Sequence, residues 1–204
     1  TRLDEARSVY VAGKYAYVAS YLDASLSVID ISNPANPREV GTIWDDSIAN
    51  GLATQLNGAN SVYVSGKYAY IASLIDDSLS IIDVSNPASP VEIGTIKDAV
   101  GATQLDGAYS VYVSGKYAYV ASIYDDSLSV IDISNPASPR EVGTIWDATG
   151  GATQLAGASS VYVSGKYAYV ASYDDGSLSV IDISNPASPR EVGTIWDATG
   201  GATQ

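Results

Sequence analysis

The sequence predicts an all-β protein, a β-propeller built from four-stranded antiparallel blades with four blades in the chain. Three observations predict it: a recurring Ser-Val-Tyr-Val segment, copies rich in Val, Ile and Tyr, and turn residues at fixed places in each copy. The segment begins at Ser8, Ser61, Ser110 and Ser160, a period of about 50 residues that is typical of propeller blades. Helical repeats share part of that range, but no copy has a 3.6-residue apolar stripe.

The second copy shows the predicted strands and turns of one blade. We expect strands a, b, c and d at residues 61–65, 68–73, 79–84 and 91–96. Gly66 suits a tight a–b hairpin, and Asp76 and Asp77 suit a b–c turn because their side chains can hydrogen-bond nearby backbone. Pro87 ends strand c, since proline donates no ladder hydrogen bond.

The four copies predict one repeat domain over residues 1–204. Its blades are expected at about 8–60, 61–109, 110–159 and 160–204, with 1–7 completing the last inter-blade loop. The start of the chain aligns with residues 103–106, so the chain holds a whole number of units. Three arrangements stay open: a four-bladed ring, half of an eight-bladed dimeric ring, and a segment of a longer array. Residues 127–154 and 177–204 are identical, which indicates recent duplication or deliberate design.

Charge and composition exclude several classes of function. Lys and Arg number 10 against 23 Asp and Glu, a net charge of −13 that repels nucleic acid and anionic lipid surfaces. The sequence contains neither His nor Cys, so disulfides, thiolate nucleophiles, His-containing triads and imidazole metal sites are excluded. No apolar run is long enough to span a bilayer, so membrane insertion is not expected.

Strand c carries the most specific motif, Leu-Ser-Val-Ile-Asp or Leu-Ser-Ile-Ile-Asp followed by Ser-Asn-Pro. It begins in the four copies at Leu26, Leu79, Leu128 and Leu178. This motif resembles the LVIVD-repeat propellers of bacterial and archaeal surface or secreted proteins. The resemblance implies the propeller fold and an extracellular or cell-surface location. It implies no activity, because that family has no common one, and function has to be argued from sites.

Two positions of this motif, the second and the last, suggest specific structural roles. The second position departs from the family pattern, with serine in place of valine at Ser27, Ser80, Ser129 and Ser179. The aspartate that ends the motif is the same in all four copies. We expect these aspartates to accept backbone hydrogen bonds near the Ser-Asn-Pro turn.

Candidate ligand-binding residues concentrate where b–c turns and d–a connections emerge together. The candidates are Trp44, Trp146, Trp196, Tyr21, Tyr124, Tyr173, Asp76, Asp77, Asp125, Asp126, Asp174 and Asp175. The d–a connections add Asp46, Gln55, Gln104, Gln154 and Gln204. Aromatic rings stack on sugar rings, and carboxylates accept hydrogen bonds from sugar hydroxyls. The leading hypothesis is therefore a multivalent carbohydrate-binding or adhesion module.

Other interpretations of the same residues stay open. Each Trp could end strand d and pack between blades, with the Asp pairs forming turns. The Asp pairs could also bind calcium, but they lack the alternating Asp-x-Asp-x-Asp-Gly spacing, so no cofactor or metal is predicted. An enzyme is not expected, since repeated turn carboxylates offer no asymmetry between an acid and a base.

The competing class of function is a structural or assembly protein, such as a surface layer, scaffold, fibre or designed propeller. Its blades would join through exposed edges, including a homodimer. The expected partner is thus a glycan or another protein, with a second copy of the chain among the alternatives.

Overall fold

The computed structural model describes residues 1–45, 54–99, 103–147 and 154–197. All regular secondary structure within these ranges is β-strand. The strands are β1 (Ala6–Ala12), β2 (Tyr15–Ser20), β3 (Ser25–Asp30), β4 (Arg38–Trp44), β5 (Ala59–Ser65), β6 (Tyr68–Ser73), β7 (Ser78–Asp83), β8 (Val91–Lys97), β9 (Ala108–Ser114), β10 (Tyr117–Ser122), β11 (Ser127–Asp132), β12 (Arg140–Trp146), β13 (Ala158–Ser164), β14 (Tyr167–Ser172), β15 (Ser177–Asp182) and β16 (Arg190–Trp196). No helix of the described chain has the length and apolar character to cross a bilayer.

The strands form four antiparallel sheets of four, each made of consecutive strands in sequence order. Each sheet is one blade, numbered 1 to 4 along the chain, which confirms the predicted propeller blades. The strand boundaries differ slightly from the prediction in blade 2. Strand a begins at Ala59 because a bulge between Ala59 and Ser61 extends its pairing with strand b. Strand c begins at Ser78, which pairs with Ser73 to close the b–c hairpin.

The chain divides into two compact units. Unit 1 holds blades 1 and 2 together with residues 135–139 of blade 3, and unit 2 holds the rest of blade 3 and blade 4. In each unit one blade packs face to face on the next. We call the face that a blade turns toward the next blade its forward face, and the face that it turns toward the preceding blade its rear face. The forward face of blade 1 contains Tyr17, Ala19, Leu26 and Val28, and that of blade 3 contains Tyr119, Ala121, Leu128 and Val130. The rear face of blade 2 contains Leu56, Ala59, Val62 and Val64, and that of blade 4 contains Leu155, Ala158, Val161 and Val163.

The segment that precedes strand a is fastened to strands c and d of the same blade. In blade 3 the carbonyl oxygen of Gln104 accepts hydrogen bonds from the hydroxyls of Ser127 (3.1 Å) and Ser129 (2.9 Å). The backbone N–H of Gln104 donates to Oε1 of Glu141 at 3.4 Å. Blade 2 repeats this pattern around Gln55. The serine at the second motif position is thus a hydrogen-bond donor where valine would only pack.

The aspartate at the end of strand c behaves as the sequence predicts. Its Oδ1 accepts the backbone N–H of the serine two residues later, at 2.8 to 2.9 Å in all four blades. Hydrogen bonds from the hydroxyl of that serine, and then from its backbone N–H, lower the pKa of Asp132 and of its equivalents Asp30, Asp83 and Asp182.

Candidate functional site

In each blade the end of strand d lies beside the b–c turn of the same blade. The first residue of strand c pairs with the last residue of strand d, as Ser127 pairs with Trp146 and Ser177 with Trp196. The residue after each Trp donates its backbone N–H to the last residue of the b–c turn, at 2.8 to 3.1 Å. We call this region the turn end of the blade. Antiparallel strand order therefore brings the predicted aromatic and acidic residues of one blade together.

The three Trp side chains are partly exposed at these turn ends. Trp44 is 37% exposed, Trp146 49% and Trp196 52%. The guanidinium of Arg2 lies over the ring of Trp44, 4.2 Å from its centre, which covers one ring face in a cation–π contact. In blade 2 Lys97 takes the place of Trp, and its Nζ lies 4.0 Å from Oδ1 of Asp76. Trp146 and Trp196 therefore offer the larger exposed rings.

The three candidate tyrosines occupy two different positions of the b–c turn. Tyr21 and Tyr173 open their turns, and Tyr124 is the second residue of its turn. Tyr21 is half-buried under the guanidinium of Arg7, at 3.6 Å, whereas Tyr173 is 80% exposed and Tyr124 65%. The Tyr124 ring lies on Gly107, where an added Cβ would fall 2.6 Å from its Cδ2. The sequence grouped these tyrosines by type, but only two of them are well exposed.

The acidic candidates serve the turns themselves. Oδ2 of one aspartate in each turn accepts a backbone N–H from the segment before strand a, at 2.8 Å. These pairs are Asp23 with Asp4, Asp76 with Asn57, Asp125 with Asp106, and Asp175 with Ala156. The next aspartate, Asp77 or Asp126, has the left-handed backbone that closes the hairpin, with φ of 52° and 51°. Asp174 is exposed beside Gly157.

Several of these carboxylates make structural contacts, and in Asp76 the surroundings also shift the pKa. Burial raises the pKa of Asp76, against the opposing effects of the Asn57 N–H and Lys97. Oδ1 of Asp126 accepts the N–H of Gly157 at 2.7 Å. In the described chain no three acidic side chains gather closely enough to hold a metal ion. Asp46 and Gln204, two further candidates, lie outside the described residues.

The glutamates of strand d were not among the site residues predicted from the sequence. Burial raises the pKa of Glu92 and of Glu141, although a serine hydroxyl and a backbone N–H both donate to each. A signal was present, since every copy has a glutamate near the start of strand d, followed by an apolar residue and a glycine. Their contacts hold the segment before strand a, so these glutamates are structural.

A second concave region lies at the opposite end of blade 1. It is a cavity of about 230 Å³ lined by Asp30, Ser32, Asn33, Asn36 and Arg38. Its lining is polar and carries no aromatic side chain. The turn ends therefore remain the candidate site that combines exposed rings with hydrogen-bond acceptors.

Solved structures similar to this chain are propellers of low sequence identity. A protein from Lactobacillus plantarum is 12% identical, with a TM-score of 0.75 over 97% of this chain and 57% of its own. The periplasmic gluconolactonase of Pseudomonas aeruginosa is 19% identical, with a TM-score of 0.74 over 95% of this chain and 58% of its own. A putative 6-phosphogluconolactonase from Bacteroides uniformis is 16% identical, with a TM-score of 0.70 over 91% and 55%.

These similarities establish the fold alone, and the chain spans little more than half the length of each of these proteins. A search of curated protein sequences finds no match. The LVIVD repeat family matches at residues 5–45, 58–98, 107–147 and 157–197, one match for each blade. The chain therefore belongs to the LVIVD repeat family.

Proposed function

We propose that this chain is a non-enzymatic binding module that takes carbohydrate ligands at the turn ends of its blades. The observation that carries the proposal is the exposure of Trp146 and Trp196, about half of each side chain, at equivalent places in blades 3 and 4. The exposed half of each ring adds little to folding. It offers a flat apolar surface to the face of a sugar ring.

Hydrogen-bond acceptors lie in the same turns as these rings. Each b–c turn has one carboxylate that already accepts a backbone N–H. An ionised carboxylate has about four lone-pair sites, so Asp125 and Asp175 keep acceptor capacity for sugar hydroxyls. Exposed Tyr124 and Tyr173 add further aromatic surface in those turns.

The proposed sites lie at equivalent positions of the four blades but differ in the residues around the Trp position. Equivalent turn ends on one chain would raise the avidity for a polyvalent glycan without raising the affinity of any single site. Blade 1 is expected to bind more weakly, because Arg2 covers one face of Trp44. Blade 2 is expected to contribute least, because Lys97 stands at its Trp position.

The gluconolactonase names of two similar propellers raise the question of hydrolysis. Our proposal is that this chain binds without catalysis. It contains no His or Cys, and its partly buried glutamates Glu92 and Glu141 bind backbone N–H and serine hydroxyl groups. Saturable hydrolysis of gluconolactone or 6-phosphogluconolactone by the purified chain would contradict this part of the proposal.

The binding proposal is tested on a glycan array with the wild-type chain and the double variant Trp146→Ala/Trp196→Ala. We expect the double variant to lose binding and to keep its melting temperature within a few degrees. Val91→Ala is the matched control, since Val91 is 52% exposed at the opposite end of strand d in blade 2, and it should bind as wild type. Lys97→Trp should strengthen binding. A double variant that still binds would overturn the proposal.

The proposal includes neither a resident cofactor nor calcium, so added calcium is expected to leave the melting temperature unchanged. It places the chain outside the cell or at its surface, where a glycan partner is found. A second candidate function is assembly with other copies of the chain. It is favoured by a separate observation, the exposed apolar faces of blades 1 and 4.

A further inference from the structure

Blade 1 exposes a rear face whose equivalents are buried in other blades. Val9 is 62% exposed and Val11 is 56% exposed, whereas the equivalent Val62 and Val64 of blade 2 are each 5% exposed. The same residue types recur at the four positions of this face, which are Leu3, Ala6, Val9 and Val11 in blade 1 and Leu155, Ala158, Val161 and Val163 in blade 4. Blade 1 therefore exposes a rear face made of the same residue types as a buried one.

Blade 4 exposes the opposite, forward face. Leu178 is 42% exposed, whereas its equivalent Leu128 in blade 3 is fully buried. Ile195 is 70% exposed on the neighbouring strand, and Tyr162 of strand a is 60% exposed. The two uncovered faces are thus of opposite kinds, one forward and one rear.

The chain itself shows how a forward face binds a rear face. In both units a serine of strand a accepts the backbone N–H of a valine in the next blade. Val62 donates to Oγ of Ser8 at 3.1 Å, and Val161 donates to Oγ of Ser110 at 3.2 Å. A tyrosine pair follows in each unit, with ring centres 4.8 and 4.9 Å apart. Two independent examples therefore define one contact geometry.

A glycine in strand d completes this contact. Gly41 and Gly143 lie against the carbonyl oxygens of Pro87 and Pro186 in the next blade, so closely that a Cβ would not fit. Their equivalent in blade 4, Gly193, has nothing within 4 Å of an added Cβ. Its missing neighbour corresponds to Pro34 of blade 1.

We propose that the forward face of blade 4 docks on the rear face of blade 1 in a second copy of the chain. Ser160 then accepts the N–H of Val9, Tyr162 meets Tyr10, and the carbonyl of Pro34 lies at Gly193. The two docked faces differ, so the contact is head-to-tail, which closes into a ring or continues as an open assembly. This inference is independent of carbohydrate binding, because it uses neither of the exposed Trp rings.

The first experiment measures molar mass by light scattering over a range of concentrations. We expect the wild-type chain to exceed its 21.2 kDa monomer mass and its melting temperature to rise with protein concentration. Gly193→Val should remain a monomer whose melting temperature does not depend on concentration. Gly143→Val is the matched variant, because the same substitution inside unit 2 meets Pro186 and should lower the melting temperature. Ile195→Asp blocks the same face without touching the glycine. A wild-type chain that is monomeric at every concentration would overturn the proposal.

A mixing experiment tests the head-to-tail geometry. Val11→Asp blocks the rear face of blade 1, so this variant alone should also be a monomer. An equimolar mixture of Val11→Asp and Gly193→Val should form a 1:1 dimer, twice the 21.2 kDa of one chain, because each variant retains one intact face. If the mixture stays monomeric while the wild type associates, the contact is of another kind and the proposal is wrong.

Discussion

Residues 127–147 and 177–197 have identical sequences but different environments. Both form strands c and d with the same pairing, β11 with β12 and β15 with β16. Leu128 is fully buried against blade 4 of its own unit, whereas Leu178 is 42% exposed. Strand formation in this repeat is therefore determined locally, while burial of the apolar residues depends on the next blade.

The largest loss of stability is expected when Leu128, the buried one of the two equivalent leucines, is shortened. Leu128→Ala should lower the free energy of unfolding by about 2 to 5 kcal/mol, because it leaves a cavity in a packed core. Leu178→Ala should cost about 1 kcal/mol or less, since that side chain is already partly in water. Urea unfolding of both variants measures the difference.

The control for this comparison removes association between copies. Both leucine variants should be made in a Val11→Asp background, where the proposed docking of blade 4 is blocked. Equal losses of stability in that background would show that Leu178 is as well packed as Leu128, contrary to their different exposure.

A smaller effect, equal in the two segments, is expected for the serines of the motif. Ser129 and Ser179 are both fully buried and donate to the carbonyls of Gln104 and Gln154 at 2.9 and 3.0 Å. Ser129→Ala and Ser179→Ala should each cost about 1 kcal/mol, the usual net contribution of one hydrogen bond. Ser138→Ala, at an exposed site of the same segment, should change stability by less than about 0.5 kcal/mol. A large inequality between Ser129→Ala and Ser179→Ala would mean that the bond depends on the neighbouring blade.

Sequence alone predicted the strands well because their signals are local. Alternating apolar residues, Gly66 and the Ser-Asn-Pro turn fix where a strand begins and ends, and β6 was predicted to the residue. The two segments that are identical in sequence could not reveal their different burial. The aspartates of the b–c turns were also ambiguous, because the backbone N–H groups they accept lie 19 residues away along the chain.

The smallest expected effect is the change of stability with pH that titration of the strand d glutamate produces. Oε1 of Glu141 accepts the Gln104 N–H, whereas Oε1 of the equivalent Glu191 is shielded from solvent and has no hydrogen-bond partner in the described chain. Burial raises the pKa of Glu141 above its usual value, so the folded chain favours the protonated form. The stability from this group is full below the unfolded pKa of about 4.3 and is lost as pH rises through the folded pKa.

Glu141→Gln cannot ionise, so its stability relative to wild type should increase between about pH 4 and pH 7. The comparison is made by urea unfolding at several pH values. Asp132→Asn is the control of opposite sign, because hydrogen bonds from Ser134 lower the pKa of Asp132. That variant should lose stability relative to wild type at neutral pH, and the loss should shrink as pH falls through the lowered pKa. If Glu141→Gln follows the wild-type pH profile, the Glu141 carboxyl titrates as it does in the unfolded chain, and burial by the segment before strand a does not govern it.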